Sequence, residues 1–182
     1  MKFSLLKVIC TVAICLLLGQ KAAAQDYRKL TIDDFQGVPH STGDGVIAYT
    51  NCSIDFRYEA TRQRGYYQLN FHIRLLMNRN RSWMDKSKVT SPEMLSEILR
   101  HEQGHYFIAY MEQQELLRAV SQTVFQADYQ YVAQAIFNRI DAKYKQLNTD
   151  YDTDTQHMVN REQQNSWNAY FQKRMVYMPA GS

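Results

Sequence analysis

The chain has 182 residues, with 21 Lys or Arg against 18 Asp or Glu, so its formal net charge is +3. The excess lies at the amino terminus, where Lys2, Lys7 and Lys21 precede the first acidic residue. The rest of the chain is neutral, which argues against nucleic acid or an anionic membrane surface as a partner. Its length is that of one ordinary domain with its own core.

The first residues, 1–24, have the pattern of a secretory signal peptide. An apolar run over residues 8–18 follows a basic start, and it is shorter than the ~20 residues that a membrane-spanning helix needs. Small residues occupy 22–24, so we expect cleavage before Gln25 and a secreted or periplasmic protein without a transmembrane segment. Cys52 is then the only cysteine left, and no internal disulfide can form.

Residues 46–77 alternate between apolar and polar side chains, which is the pattern of strands with one buried face. The apolar positions on either side of a turn-like segment, 61–65, are Ile54, Phe56, Tyr58, Tyr67, Leu69, Phe71, Ile73 and Leu75. This alternation predicts an antiparallel β-hairpin. His72 falls on the polar face, so we expect it to point to solvent.

The spacing of apolar residues changes to that of helices after residue 90. Ser91 is a good N-cap and Pro92 fits the first helical position, so a first helix is predicted from there to about Val120. Helical periodicity predicts a second helix over about 125–147 and a last one over about 160–175, with a polar loop at 148–156 between them. The predicted fold class is α+β, a small antiparallel β-hairpin followed by a helical part, in a single domain over residues 25–182.

The first long helix contains the motif His101-Glu102-Gln103-Gly104-His105. Residues four apart share a helical face, so both imidazoles can bind one metal ion while Glu102 reaches a water on that ion. Zinc at such a site lowers the pKa of the water and polarises a carbonyl, and Glu102 can act as the general base. The motif therefore predicts a zinc site with His101 and His105 as ligands.

Zinc catalysis normally uses three protein ligands and one open position, so a third ligand must come from elsewhere. On a continuous helix, Glu112 and Glu115 lie roughly 10 and 15 Å beyond His105 along the axis, which is too far to reach the same ion. His72 points away from the motif on its strand. His40, in a loop-like segment, is a minor candidate.

The segment Tyr151-Asp152-Thr153-Asp154-Thr155-Gln156-His157 is the best source of the third ligand. We expect it in the loop after the second helix, from which it can fold back over the first. His157 is the preferred ligand, and Asp152 or Asp154 is the alternative. The acidic and hydroxyl side chains of this segment could also bond to an imidazole N–H of the site. A polar connection that only caps the last helix is the remaining interpretation.

These residues resemble a bacterial family of unknown function whose members are described as predicted secreted zinc-dependent proteases. The resemblance covers most of the chain after the signal peptide, and it rests on Trp83, the segment 99–107 with the metal motif, Tyr151-Asp152-x-x-Thr155-x-His157, Gln164 and Trp167. It implies that His101, Glu102 and His105 carry the site and that His157 belongs to it. We expect Gly after the distal His in this pattern, whereas this chain has Met158.

Together these features favour a secreted zinc-dependent hydrolase, a peptidase with a peptide or protein substrate. Glu102 would activate water, and Tyr151 or Tyr106 is a candidate donor to the developing oxyanion. The alternative is a non-catalytic exported protein whose metal only stabilises the fold and whose surface binds a partner. A fourth protein ligand, such as Asp154 beside His157, would close the coordination sphere and favour this second function.

Overall fold

The computed structural model describes residues 27–40 and 45–176. The predicted signal peptide, residues 1–24, lies outside them. The described strands and longer helices, in chain order, are β1 (Ala48–Tyr49), β2 (Cys52–Arg62), β3 (Tyr67–Met77), β4 (Trp83–Met84), α1 (Pro92–Ser121), α2 (Tyr129–Thr155) and α3 (Arg161–Val176). Short 3-10 helices, Ile32–Asp34 and Lys86–Lys88, precede β1 and α1. Two small antiparallel sheets followed by helices confirm the predicted α+β class.

The larger sheet is the predicted β-hairpin. Strands β2 and β3 pair antiparallel over all of their residues. Ile73 and Leu75 of β3 are buried, whereas His72, on the other face, is exposed, as the alternation predicted. The second sheet is small, with Ala48 of β1 opposite Met84 of β4.

Helix α1 begins where its capping residues predict. The Ser91 hydroxyl accepts a hydrogen bond from the Met94 amide at 3.1 Å, and Pro92 occupies the first turn, where an amide proton has no helical partner. The helix continues to Ser121, in agreement with the predicted end near Val120. It packs against the hairpin on one side and against α2 and α3 on the other, so its motif residues lie inside the protein.

Helix α2 is longer than the sequence predicts. We expected a helix over 125–147 and a loop over 148–156, but the helix begins at Tyr129 and continues to Thr155. Tyr151 and Thr155 are both fully buried, at 0% exposure, on the face that packs against the core. The prediction of a loop was therefore wrong, because tertiary packing outweighs the local preference of Asp and Thr for turns. The residue after the helix, Gln156, is its C-cap and has a left-handed φ of 47°.

Helix α3 follows a short turn, and its bounds are close to the predicted 160–175. Its buried residues are Gln164 and Phe171, and the Phe171 ring packs on the rings of Phe107 and Tyr151. This contact ties α3 to both of the other helices. In the described part of the chain, no helix is long and apolar enough to cross a bilayer.

The segment before the strands is attached to α1 through the metal motif itself. The Gln103 side chain accepts a hydrogen bond from the Leu30 amide at 2.7 Å and donates one to the Tyr27 hydroxyl at 2.8 Å. Leu30 is 1% exposed and belongs to the core. Gln103, between Glu102 and His105, therefore stabilises the packing of the amino-terminal segment against α1.

Candidate metal centre

Three donor atoms from α1 and α2 meet between the two helices. The Nε2 atoms of His101 and His105 lie 3.2 Å apart, because their four-residue spacing places them on one helical face. Asp152 Oδ1, from the last turn of α2, lies 3.2 Å from the first nitrogen and 3.1 Å from the second. The three atoms form a nearly equilateral triangle.

This triangle has about the size of one face of a zinc coordination tetrahedron. With bonds of about 2.1 Å to zinc, two ligand atoms at the tetrahedral angle are about 3.4 Å apart. The observed separations of 3.1 and 3.2 Å are slightly shorter. A zinc ion could bind all three atoms after a small expansion of the cluster.

Hydrogen bonds on the far side of each imidazole fix which nitrogen carries the proton. His101 Nδ1 lies 3.1 Å from Gln164 Oε1, and His105 Nδ1 lies 2.7 Å from Asn148 Oδ1. The Gln164 amide presents its oxygen to His101 because its nitrogen donates to the Tyr151 hydroxyl at 2.8 Å. We therefore assign the proton to Nδ1 in both rings, which leaves a lone pair on each Nε2.

With both imidazoles in this tautomer, the cluster needs positive charge, from a proton or a metal ion, to hold its three donor atoms together. Two unprotonated nitrogens, of His101 and His105, face each other, and the Asp152 carboxylate faces both. Asp152 Oδ1 is buried and has no hydrogen-bond partner within the described residues. Two imidazoles and a carboxylate are a donor set that zinc accepts. The residues present therefore fit the metal that the motif predicts.

The charges around the cluster also favour a cation. Burial lowers the pKa of His105, but the Asp152 and Glu102 carboxylates outweigh burial and raise that pKa to about 9. Burial likewise opposes ionisation of Asp152, but the adjacent imidazoles of His101 and His105 hold the pKa of its carboxyl well below the usual range. The surroundings of the cluster thus stabilise positive charge at this point.

His157 lies at the edge of the cluster. Its Nδ1 is 3.4 Å from Asp152 Oδ1, and one donor atom each from His101, Asp152 and His157 lie within 4.8 Å of one another. The His157 side chain is 45% exposed, whereas that of His101 is 5% exposed. The structure brings both predicted alternatives, His157 and Asp152, to one centre, and Asp152 contacts both histidines of α1.

His157 sits in a turn of unusual backbone conformation. Gln156, His157 and Met158 have φ values of 47°, 50° and 77°, all in the left-handed region. This region costs a residue other than Gly roughly 1–2 kcal/mol. Met158 occupies the position where the resemblance leads us to expect Gly, so the departure from that pattern falls at a strained residue.

Glu102 is buried beside His101, and one oxygen of its carboxylate is unpaired. The residue is 3% exposed, and Oε2 has no hydrogen-bond partner in the part of the chain that the structure describes. Its negative charge contributes to the raised pKa of His105, so it acts on the cluster. An unpaired carboxylate oxygen at this place can accept a proton from a water bound beside the histidines.

Gly104 allows α2 to approach α1 closely. A Cβ atom at this position would lie 2.3 Å from the hydroxyl oxygen of Tyr151, so no larger residue fits without a shift of the backbone or the ring. The Tyr151 ring stacks on His101, with centroids 4.8 Å apart. Because Tyr151 precedes Asp152 on α2, this close approach brings Asp152 to the two histidines.

Other predicted candidates are engaged elsewhere. Asp154 accepts a hydrogen bond from Trp167 Nε1 at 3.0 Å, so the carboxylate of the cluster is Asp152. The Tyr151 hydroxyl donates to the His101 backbone oxygen at 3.0 Å, and Tyr106 is 1% exposed. Neither hydroxyl is open to a substrate, and the prediction of an oxyanion donor at these residues was wrong.

The remaining histidines do not contribute to a metal site. His40 packs against Trp83, with ring centroids 6.1 Å apart, and His72 is exposed on β3. Neither belongs to a group of potential metal ligands in residues 27–40 and 45–176. Glu115 accepts a hydrogen bond from the Tyr144 hydroxyl at 2.8 Å. This contact agrees with the expectation that Glu115 lies too far along α1 to reach the cluster.

A cavity of about 530 Å³ lies beside the cluster, between α1, α2 and the start of β2. His105, Asn148 and Asp152 line it, so two of the donor residues can be reached from it. A second cavity, of about 730 Å³, is lined by the amino-terminal segment, α1 and α3, and none of the four donor residues lines it. The first cavity is therefore the candidate path for a substrate.

Sequence reasoning missed the role of Asn148. A helix extended through residue 155 would have placed Asn148 and Asp152, four residues apart, on one face toward α1. Gln164 was noticed only as part of the resemblance, because its position against His101 depends on how α3 packs.

The fold and the cluster define an α+β protein with a candidate metal centre between two helices. The chain belongs to the bacterial family of proteins of unknown function DUF922, whose family model matches residues 26–158. This confirms the resemblance to a bacterial family of unknown function, and the family description names no activity. The match includes α1, α2 and His157 and ends before α3. No curated protein and no solved structure matches the chain.

Proposed function

We propose that this protein is a secreted or periplasmic zinc-dependent hydrolase, a peptidase that cleaves a peptide or protein substrate. The observation that carries the proposal is the buried Glu102 carboxylate, whose Oε2 lacks a hydrogen-bond partner in the described residues. A metal that only stabilised the fold would have no use for this group. A hydrolase needs a general base beside its metal.

Each residue of the cluster has a role in this proposal. His101, His105 and Asp152 hold the zinc, with His157 beside them. Zinc bound there lowers the pKa of a water molecule and polarises the substrate carbonyl. Glu102 accepts a proton from the attacking water and returns it to the leaving amine. The amide oxygens that bond to the two Nδ1 atoms keep the imidazoles in the tautomer that binds metal.

A second candidate is a non-catalytic exported protein that the metal stabilises. The presence of both Asp152 and His157 favours it, because these residues and the two histidines of α1 supply four donors, and a closed zinc site has four. In that case zinc is bound and no peptide is cleaved.

The test measures zinc content and peptide cleavage on the same preparations of residues 25–182. The wild-type protein should carry about one zinc per chain by elemental analysis and should cleave members of a peptide library. His105→Ala should lose both the metal and the cleavage. Glu102→Gln should keep the metal and lose the cleavage, because the carboxylate acts on the water and does not bind the ion.

His72→Ala is the matched control, since this histidine is exposed on β3, and it should keep both properties. Full zinc occupancy in His105→Ala would overturn the metal site. Unchanged cleavage in Glu102→Gln would overturn the role of Glu102. A zinc-loaded wild-type protein that cleaves nothing would favour the non-catalytic function.

A further inference from the structure

The cavity beside the cluster follows α1 from His105 to Glu112. These residues are seven apart on one helix and therefore roughly 10 Å apart along its axis. Asn148 and Asp152 line the cavity together with His105. A substrate held at the cluster can thus extend one long side chain into the cavity as far as Glu112.

Both polar and apolar side chains line the cavity between these two ends. Ile54 of β2, Ile108 of α1, and Phe137 and Tyr144 of α2 line it. These apolar side chains favour an alkyl or aromatic stem, because its burial against them removes apolar surface from water.

The far part of the cavity is acidic. Asp141 is paired with Lys145, whose ammonium lies 2.8 Å from its carboxylate. Glu112 Oε1, by contrast, is buried and has no hydrogen-bond partner in the described portion of the chain. Burial, and next the charge of Asp141, raise the pKa of Glu112 to about 7, although Lys145 acts in the opposite direction. Lys145 also lines the cavity, but its ammonium is paired with Asp141, and Glu112 forms no salt bridge within the described residues.

We propose that this cavity is a specificity pocket for a substrate side chain with an apolar stem and a cationic end, that of Lys or Arg, and that Glu112 binds the cationic end. The apolar side chains of the lining accept the stem, and Glu112, whose Oε1 has no partner among the described residues, binds the ammonium or guanidinium group. A preference for cleavage next to Lys or Arg rests on the proposed hydrolase function. The binding preference itself can be measured without cleavage.

The first experiment compares N-acetylated peptides that carry Lys, norleucine or Glu at one position within otherwise randomised flanks. Norleucine has nearly the shape of the Lys stem without its charge, and acetylation removes the terminal ammonium as a competing cation. Wild-type protein should cleave next to Lys about tenfold or more faster than next to norleucine, and least next to Glu, as kcat/KM measured by mass spectrometry. Glu112→Gln should bring the ratio of Lys to norleucine close to one.

Glu115→Gln is the matched control, because Glu115 lies three residues further on α1, does not line the cavity and is paired with Lys143. It should keep the wild-type ratio. Equal cleavage next to Lys and norleucine by the wild-type protein, or an unchanged ratio in Glu112→Gln, would overturn the pocket and leave the hydrolase function standing.

The second experiment separates this inference from the hydrolase proposal. Binding of the same peptides is measured by calorimetry on zinc-loaded Glu102→Gln, with and without Glu112→Gln. Lys peptides should bind about tenfold or more tightly than norleucine peptides only when Glu112 is present. If that preference is found and the wild-type protein cleaves no peptide, the hydrolase proposal falls and the binding pocket stands. If no preference is found, the pocket falls.

Discussion

The contact between Gln164 and His101 predicts that α3 controls zinc affinity, although α3 lies beyond the residues that the family model matches. Gln164→Leu removes the oxygen that accepts the His101 Nδ1 proton. The proton is then free to move to Nε2, the atom that faces the cluster, and that tautomer cannot bind metal. Loss of such a partner weakens metal binding by about 10–100-fold.

The structure places the expected effect in the upper part of this range. Gln164 is 1% exposed, so water does not replace the lost acceptor. A matched variant, Gln164→Glu, keeps an acceptor for Nδ1. Both variants lose the amide donor to the Tyr151 hydroxyl, so the difference between them isolates the bond to His101. We expect about wild-type affinity in the Glu variant and about 100-fold weaker binding in the Leu variant.

The assay is a competition for zinc with a chromophoric chelator at fixed pH, which gives Kd for each variant. Denaturant unfolding of the metal-free proteins reports the packing of α3 separately. Wild-type Kd in Gln164→Leu would refute the reasoning. A Glu variant as weak as the Leu variant would show that the packing of α3, and not the acceptor for His101, sets the affinity.

Two further predictions concern the carboxyl end of α2. Asp152→Ala should weaken zinc binding more than His157→Ala does. The reason is that Asp152 Oδ1 contacts both histidines of α1, whereas His157 Nδ1 is 3.4 Å from Asp152. Equal Kd values for the two variants in the same competition assay would contradict this prediction. Met158→Gly should unfold with a free energy about 1 kcal/mol higher than Met158→Ala, since a φ of 77° suits Gly and strains any residue with a Cβ atom. Denaturant unfolding measures this difference, and equal stability of the two variants would mean that the turn is not strained.

The spacing of apolar residues along the sequence predicted the strands and helices that have one buried face. The alternation along β3 placed Ile73 inward and His72 outward, and the Ser91 cap located the start of α1. The last turns of α2 could not be predicted in this way. Their Asp and Thr residues favour turns locally, and they stay helical because Tyr151 and Thr155 are buried in the core. Strands β1 and β4 have two residues each, which is too short for a periodic signal.

The candidate site was predictable where one helix determines it. His101 and His105 must share a face at their spacing, whatever surrounds the helix. The third donor depends on how α2 packs, so exclusion of other residues led only as far as the segment 151–157. Within that segment, the position of each residue around the helix determines which side chain reaches the cluster. Asp152 lies one turn after Asn148, and both face α1. In a segment predicted to be a loop, the spacing of residues does not say which side chains share a face. Asp152 therefore remained an alternative to His157.

The Glu102 carboxylate separates the two proposed functions by its effect on stability. A buried polar atom without a partner costs about 1–3 kcal/mol, and more if it is charged. That is a large part of the ~5–15 kcal/mol that stabilises an ordinary domain. A protein that used metal only to join α1 to α2 would be more stable with an apolar residue at this position, since His101, His105 and Asp152 supply the donors. Residues that break the rules of stable packing without a compensating contact are expected at functional sites. The unpaired oxygen of Glu102 therefore supports the proposed hydrolase over the proposed structural zinc site.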